Sequence, residues 1–308
     1  EGSLKGMFAN LGDPYTSYYT PDEFKKLMES LNGRYSGIGL SVQASKEGYI
    51  KAVSVFDNSP AKEAGIEPGD YITKVNGKAY GASQLEEAVA EIKGEPGTEV
   101  TLTILRTEEG KTDSKEFDIK VSRADVSVDT IDDDILEIRD KKIGYIHIKA
   151  FDDITWQDFS DSYSKLMAQD IDGLVLDVRN NPGGALDVVI NIADNFLDEG
   201  VIVTTKDKNG KEVVEKSDAS ASDIPMVILQ NENSASASEI LAGAMKDRGR
   251  AKVIGTQSFG KGVVQKVFNL ENGAGAKITI SEYFTPNGTQ INKVGVTPDI
   301  EVSSDEDL

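Results

Sequence analysis

The spacing of apolar positions changes twice along the chain. Residues 1–32 carry helical spacing around a tyrosine-rich turn, Gly12-Asp13-Pro14-Tyr15-Thr16-Ser17-Tyr18-Tyr19-Thr20-Pro21. Thr20 followed by Pro21-Asp22-Glu23 predicts a helix start. Thr20 is the cap there, and Pro21 takes the first helical position, where a missing N–H costs nothing. Over 33–123, short alternating runs at 49–55, 71–75 and 100–105 predict strands, separated by turn signals such as Asn76-Gly77. An amphipathic helix over 83–93 puts Leu85, Ala88, Val89 and Ile92 on one face. Over 124–308 the pattern is α/β: strand-like runs at 143–148, 174–178, 226–229 and 253–254 alternate with helical spacing at 155–168, 185–197 and 237–248. The acidic run Asp132-Asp133-Asp134 reads as a loop, and the polar stretch from Ser303 to Leu308 as a frayed end. The fold class is multidomain, α+β with an α/β part. It has a small helical N-terminal segment, a β-rich module and an α/β core of strand–loop–helix units.

Composition narrows the chemistry. The chain has 308 residues, enough for two domains of about 100–200 residues each. With 38% apolar and 28% charged residues a packed core is attainable and global disorder is not expected. Lys and Arg total 33 against 53 Asp and Glu, a net charge of −20, which argues against nucleic acid and anionic membrane surfaces as partners. The absence of cysteine excludes thiol nucleophiles, disulfides and cysteine-based metal sites, and leaves the compartment open. The one histidine, His147, lies in the apolar run Ile143-Gly144-Tyr145-Ile146-His147-Ile148. It reads as a strand residue satisfied by a neighbour, not as the base of a Ser–His–Asp triad. No run of about 18 apolar residues is present to span a membrane. The chain opens at Glu1 without Met and reads as a piece of a longer protein.

Three segments carry candidate chemistry. In the first, Leu174-Val175-Leu176-Asp177-Val178 leads through Arg179-Asn180-Asn181-Pro182 to Gly183-Gly184 and a helix. Paired glycines leave backbone amides uncovered at a helix start, where they stabilise developing negative charge, although a tight Pro-Gly turn has the same sequence. In the second, Val227-Ile228-Leu229-Gln230 runs through Asn231-Glu232-Asn233 into Ser234-Ala235-Ser236-Ala237-Ser238-Glu239-Ile240. The three serines fit helix caps, and Ser236 with Glu239 is a capping-box pattern. They equally fit a nucleophile on a strand-to-helix turn, with the Ala237 amide facing an oxyanion. In the third, Gly255-Thr256-Gln257-Ser258-Phe259-Gly260-Lys261 matches a phosphate-binding loop as far as its lysine. Gly262 stands where Ser or Thr would hold Mg²⁺, and the strand-like Val263-Val264-Gln265 follows instead of a helix, so nucleotide binding is set aside. A lysine between glycines can enter a confined site and act as a neutral base. Neutrality near pH 7 costs about 4 kcal/mol and so requires burial. On an extended segment Gln265 shares the face of Lys261 and is placed to orient the amine.

These segments, in this order, resemble the C-terminal processing peptidases, or tail-specific proteases. Leu11-Gly12-Asp13-Pro14-Tyr15-Thr16 is similar to the family's N-terminal signature. Ser36-Gly37-Ile38-Gly39-Leu40, with Ser59-Pro60-Ala61 and Ala64-Gly65-Ile66, is similar to its PDZ module. The stretches 177–184, 233–240 and 260–265 resemble its active-site segments, and Gly295-Val296-Thr297-Pro298-Asp299 its closing motif. The likeness covers nearly the whole chain.

The resemblance implies a 1–32 N-terminal segment, a 33–123 PDZ domain and a 124–308 serine protease core. The family's nucleophile precedes its lysine by 25 residues, and here 261 − 236 = 25, which implies Ser236 as nucleophile. Lys261 is implied as general base and Gln265 as the residue that positions it. The oxyanion hole is implied to be the Ala237 amide with one glycine of the Gly183-Gly184 pair. Asp247 matches an aspartate important in some members and is read as support. The loop Gly37-Ile38-Gly39-Leu40 is implied to hold a substrate's terminal carboxylate. Where some relatives carry a gating arginine, the stretch Ile92-Lys93-Gly94 offers Lys93. The implied activity is a serine endopeptidase that captures proteins by accessible C-termini, needs no cofactor or metal, works outside the cytoplasm and forms a homodimer. A latent PDZ-containing scaffold is the rival reading. A crotonase-like acyl-CoA enzyme shares the α/β pattern but leaves the embedded module unexplained.

Overall fold

A computed structural model describes residues 2–31, 34–107 and 114–303. The chain forms two compact units, one from 1–32 with 130–308 and the other from 33–129. The N-terminal stretch holds α1 (Gly2–Ala9), β1 (Ser17–Tyr19) and α2 (Pro21–Leu31). Thr20 and Glu23 cap α2 reciprocally: the Glu23 amide donates to Thr20 Oγ1 at 3.4 Å and the Thr20 amide to Glu23 Oε2 at 3.0 Å. This stretch does not stand apart as a separate helical segment. It joins the large unit because β1 pairs antiparallel with a strand near the far end of the chain, Tyr18 opposite Ala276.

The second unit contains β2 (Arg34–Gly37), β3 (Leu40–Ala44), β4 (Ile50–Val55), α3 (Pro60–Glu63), β5 (Tyr71–Val75), β6 (Lys78–Ala79), α4 (Leu85–Ile92), β7 (Glu99–Thr107), β8 (Ser114–Ser122) and β9 (Ala124–Ser127). The antiparallel order is β3-β4-β5-β7-β8, so β3 is an edge. The unit runs past 123 to 129 because β9 pairs with β2. Its core joins Ile50, Ile72, Val75, Leu102 and Ile104 to Ala88 and Ile92 of α4. Arg123 closes α4: Nε donates to the Ile92 carbonyl and Nη2 to the Glu91 carbonyl, each at 2.8 Å.

The large unit continues through β10 (Ile131–Ile138), β11 (Lys141–Ile148), α5 (Thr155–Met167), β12 (Gly173–Asp177), α6 (Leu186–Asp194), β13 (Gly200–Asp207), β14 (Glu212–Ser217), β15 (Met226–Gln230), α7 (Ala237–Asp247), β16 (Lys252–Gly255), β17 (Val263–Asn269), β18 (Gly275–Phe284) and β19 (Ile300–Glu301). The order β10-β11-β12-β15-β16-β19 is parallel except for β10. A second, antiparallel sheet joins β1, β18, β13 and β14, with β17 on β18. Phe159, Val189, Ile192, Leu241 and Met245 of the helices share one core with Ile146, Leu176, Ile228, Val253 and Tyr283 of the sheets.

The run Asp132-Asp133-Asp134 lies in β10, not in a loop. Pairing with β11 overrides its poor strand propensity, because the carboxylates find partners. Asp132 meets Lys149 at 2.6 Å, and Asp133 meets Lys165 at 2.5 Å and Ser162 at 2.8 Å. His147 on β11 is satisfied as expected, its Nε2 lying 3.2 Å from the Arg179 carbonyl. Of the polar tail, residues 304–308 lie outside the described residues.

Candidate active site

The loops after β12 and β15 are stitched together at the carboxyl ends of the parallel strands. Ser234 Oγ donates to the Val178 carbonyl at 2.8 Å, and Ser238 Oγ to the Asn181 carbonyl at 3.0 Å. Both serines are buried and engaged. Ser236, between them, has φ +56° and ψ −114°, a strained conformation for a residue with a side chain. The strand-to-helix turn thereby lifts its hydroxyl away from the helix. Only one half of the capping box forms: the Ser236 amide donates to Glu239 Oε2 at 2.9 Å. The hydroxyl of Tyr283 lies close to that of Ser236.

Glu239 is fully buried, and its carboxylate organises the neighbourhood. Oε1 accepts from Ser258 Oγ at 2.6 Å and the Gly260 amide at 2.7 Å. Oε2 accepts from the Lys261 amide at 2.9 Å as well as from Ser236. One carboxylate therefore holds the backbones of both Ser236 and Lys261. Ser258 Oγ in turn accepts from the Val296 amide at 2.6 Å.

The glycines flanking Lys261 serve backbone packing. A Cβ on Gly262 would lie 2.1 Å from the Asn292 amide nitrogen, and Gly260 has φ +87°. Burial pushes the Lys261 ammonium below its ordinary pKa, the positive charge of Lys277 lowers it further, and Glu239 opposes both. Lys261 Nζ lies 5.3 Å from the centre of the Tyr15 ring and makes no hydrogen bond among the described residues. Gln265 is not joined to it. Lys261 lies before β17, off the strand that carries Gln265, and Gln265 Nε2 donates to the Val263 carbonyl at 3.2 Å. As the sequence requires, a strand and not a helix follows this lysine.

Gly183 approaches Ser236 closely: a Cβ there would lie 2.6 Å from Ser236 Cβ and 2.9 Å from the Ala237 nitrogen, and its φ is +100°. The Gly183 amide donates to Asn181 Oδ1 at 2.8 Å. The Gly184 and Ala237 amides make no hydrogen bond among the described residues. Asp247, at the end of α7, lies apart from this cluster in its bonding and accepts from the Asn287 amide at 2.9 Å. Tyr15, Glu239 and Tyr283 are the neighbours that sequence reasoning missed as site residues. Among the described residues no group of three or more His, Cys, Asp or Glu could hold a metal ion.

The second unit carries its own groove, a cavity of about 280 Å³ lined by Gly37, Ile38, Leu40, Val42, Val89 and Ile92, with Lys93 at the rim. The turn between β2 and β3 needs glycine. Gly39 has φ +77°, and a Cβ there would fall 2.2 Å from Ser59 Cβ. Because β3 is an edge strand, its outer backbone groups are placed to pair with an added chain.

Comparison with known proteins agrees with this arrangement. Family profiles match residues 142–302 to peptidase family S41 and residues 52–106 to the PDZ domain. A carboxy-terminal-processing protease of Bartonella bacilliformis is 40% identical over 98% of this chain and 69% of its own length. A Staphylococcus aureus protein named "Probable CtpA-like serine protease" is 38% identical over 99% of this chain, which spans 60% of that relative. Among solved structures, the photosystem II D1 C-terminal processing protease is similar with a TM-score of 0.61 at 29% identity, over 98% of this chain and 81% of that one. On these matches the chain belongs to peptidase family S41, the carboxy-terminal-processing proteases, and carries the PDZ domain that the resemblance implied.

Proposed function

We propose that the protein is a serine endopeptidase that captures substrate C-termini with its PDZ domain and hydrolyses peptide bonds with Ser236 and Lys261. The observation that carries this reading is the strained Ser236, held by the same buried carboxylate that holds the desolvated Lys261. Neutral Lys261 takes the Ser236 proton as Oγ attacks the scissile carbonyl. The Ala237 and Gly184 amides receive the oxyanion, since the Gly183 amide is committed to Asn181. Lys261 then passes its proton to the leaving amine, and water, deprotonated by Lys261, releases the acyl group. The substrate's carboxylate sits on the 37–40 loop, its last side chain enters the apolar groove, and its backbone adds to β3. Gln265 turns from Val263 to Lys261 in the working state, and Asp247 acts from a distance by fixing the segment that follows β18.

A latent scaffold is the second reading. Its support is that Gln265 donates to the Val263 carbonyl and that, among the described residues, neither Gln265 nor Ser236 is bonded to the Lys261 amine. Incubation with an unfolded substrate, with Ser236→Ala in parallel, separates the two. Cleavage by the wild type alone supports the protease, and equal cleavage by both forms removes Ser236 from the mechanism. Peptide binding without turnover at any pH establishes the scaffold. An extracytoplasmic location and a homodimer formed through the terminal regions rest on the family resemblance. Fractionation and sedimentation test them.

A further inference from the structure

Among the described residues Tyr283 is the largest fully buried side chain; it lies within the apolar core, yet its hydroxyl reaches the proposed centre. On β18 it stands opposite Thr205 of β13, and its amide donates to the Gly262 carbonyl at 3.1 Å. Its hydroxyl donates to the Lys261 carbonyl, which can only accept. The phenol has one proton and gives it to that carbonyl, so towards the nearby Ser236 hydroxyl its oxygen can only accept. We propose that Tyr283 is a positioning residue for the Ser236–Lys261 pair, fixing the backbone of the base through its bonds to the Lys261 and Gly262 carbonyls. The inference rests on the Ser–Lys reading above.

Tyr283 is not a proton relay. Burial holds the Tyr283 hydroxyl in its protonated form far above the ordinary tyrosine range, and the nearby Glu239 carboxylate reinforces this. Its role is geometric. On the N-terminal side, the Lys261 segment is tied by the Gly260 and Lys261 amides to Glu239 and by the Phe259 amide to the Ser234 carbonyl. At the Lys261 and Gly262 carbonyls, the ties are the two bonds from Tyr283. Nothing described replaces the hold on the Lys261 carbonyl.

Tyr283→Phe keeps the buried ring and removes only the hydroxyl. The test is the rate of capture of a fluorophosphonate, and of peptide turnover, each expressed per titrated Ser236 site. The adduct is located by mass spectrometry. We expect at least a tenfold fall in kcat and in capture rate per site, with KM within twofold of wild type. A purely structural role would lower the number of titratable sites without changing the rate at each one, and an unchanged per-site rate overturns the inference. If the variant does not fold, 3-fluorotyrosine installed at 283 alone keeps the ring and the hydroxyl but makes it a stronger donor and a weaker acceptor. The per-site rate must then change, and an unaltered rate again overturns the inference. Label on a residue other than Ser236 removes the Ser–Lys reading itself, a failure distinct from Tyr283 having no effect.

Discussion

Glu239→Gln tests the clamp at the centre of the site with the smallest chemical change available. The carboxylate accepts four hydrogen bonds, two on each oxygen, with no exposure to water. A glutamine amide has one acceptor oxygen, so its nitrogen must face one of the two donor pairs. The less costly choice turns it towards Ser258, whose hydroxyl can rotate to accept, and orphans the Gly260 amide. A buried unsatisfied donor costs about 1–3 kcal/mol. The bonds to Ser236 and Lys261 survive but lose charge assistance, which roughly halves their strength. The sum is a loss of about 2–4 kcal/mol from a fold whose whole stability is about 5–15 kcal/mol. The one tryptophan, Trp156, stacks at 6.3 Å on Phe159 in the large unit, so its fluorescence during urea unfolding reports that unit and not the PDZ domain. The expected result is a clearly lowered midpoint with an unchanged slope, and at least a tenfold fall in capture of a fluorophosphonate per folded molecule. A midpoint and capture rate equal to wild type would refute the clamp.

Three further outcomes follow from geometry described above. Gly183→Ala places a methyl 2.6 Å from Ser236 Cβ and 2.9 Å from the Ala237 nitrogen, at a φ of +100°. Turnover should fall by at least about 100-fold with a stability loss of about 1–3 kcal/mol, read by peptide cleavage and urea unfolding. In the PDZ domain, Arg106 grips buried Asp70 through Nε at 2.7 Å and Nη2 at 2.8 Å. Arg106→Leu strands that carboxylate at a cost of about 3–5 kcal/mol. Binding of C-terminal peptides should disappear while the Trp156 transition stays in place. Lys261, lowered from 10.5 by burial and by Lys277, must be neutral to act as the proposed base, so kcat/KM should rise with pH and reach its plateau below 10.5. Lys277→Gln removes a like charge, raises the Lys261 pKa and moves that acid limb to higher pH; a limb that moves down contradicts the assignment. The same shift carries a stability sign. Between the lowered value and 10.5 the unfolded chain binds the extra proton, so this contribution to stability rises with pH across that window.

The regular elements of this fold are legible where one period dominates. Helical spacing at 155–168 and 237–248 became α5 and α7 within a residue, and the apolar runs became β11, β12, β15 and β16. Asp132 to Asp134 misled because local propensity speaks against a strand, whereas the pairing with β11 and the cations on Lys149 and Lys165 are non-local. Gln265 misled for a different reason: an extended segment from Lys261 onward was assumed, whereas β17 begins only at Val263. Residue types alone leave Ser234, Ser236 and Ser238 equivalent, and backbone conformation is what separates them. Glu239 was visible as a cap partner, but its hold on Gly260 and Lys261 bridges 21 and 22 residues and leaves no periodic trace.

The pairing of β1 with β18 also fixes an order of events during synthesis. The Thr279 amide donates to Thr16 Oγ1 at 3.0 Å across 263 residues of chain. The helix, tyrosines and strand of the N-terminal stretch must wait for a partner 263 residues further along, and the loop between them is costly and slow to close. The inserted PDZ domain has its own core and all its strand partners within 33–129, so it can condense while the ribosome is still translating the rest. Tyr15 cannot reach Lys261, nor Tyr283 reach Ser236, until the stretch through β18 has emerged. A nascent molecule of this kind completes its PDZ domain before the surroundings of Ser236 and Lys261 can assemble.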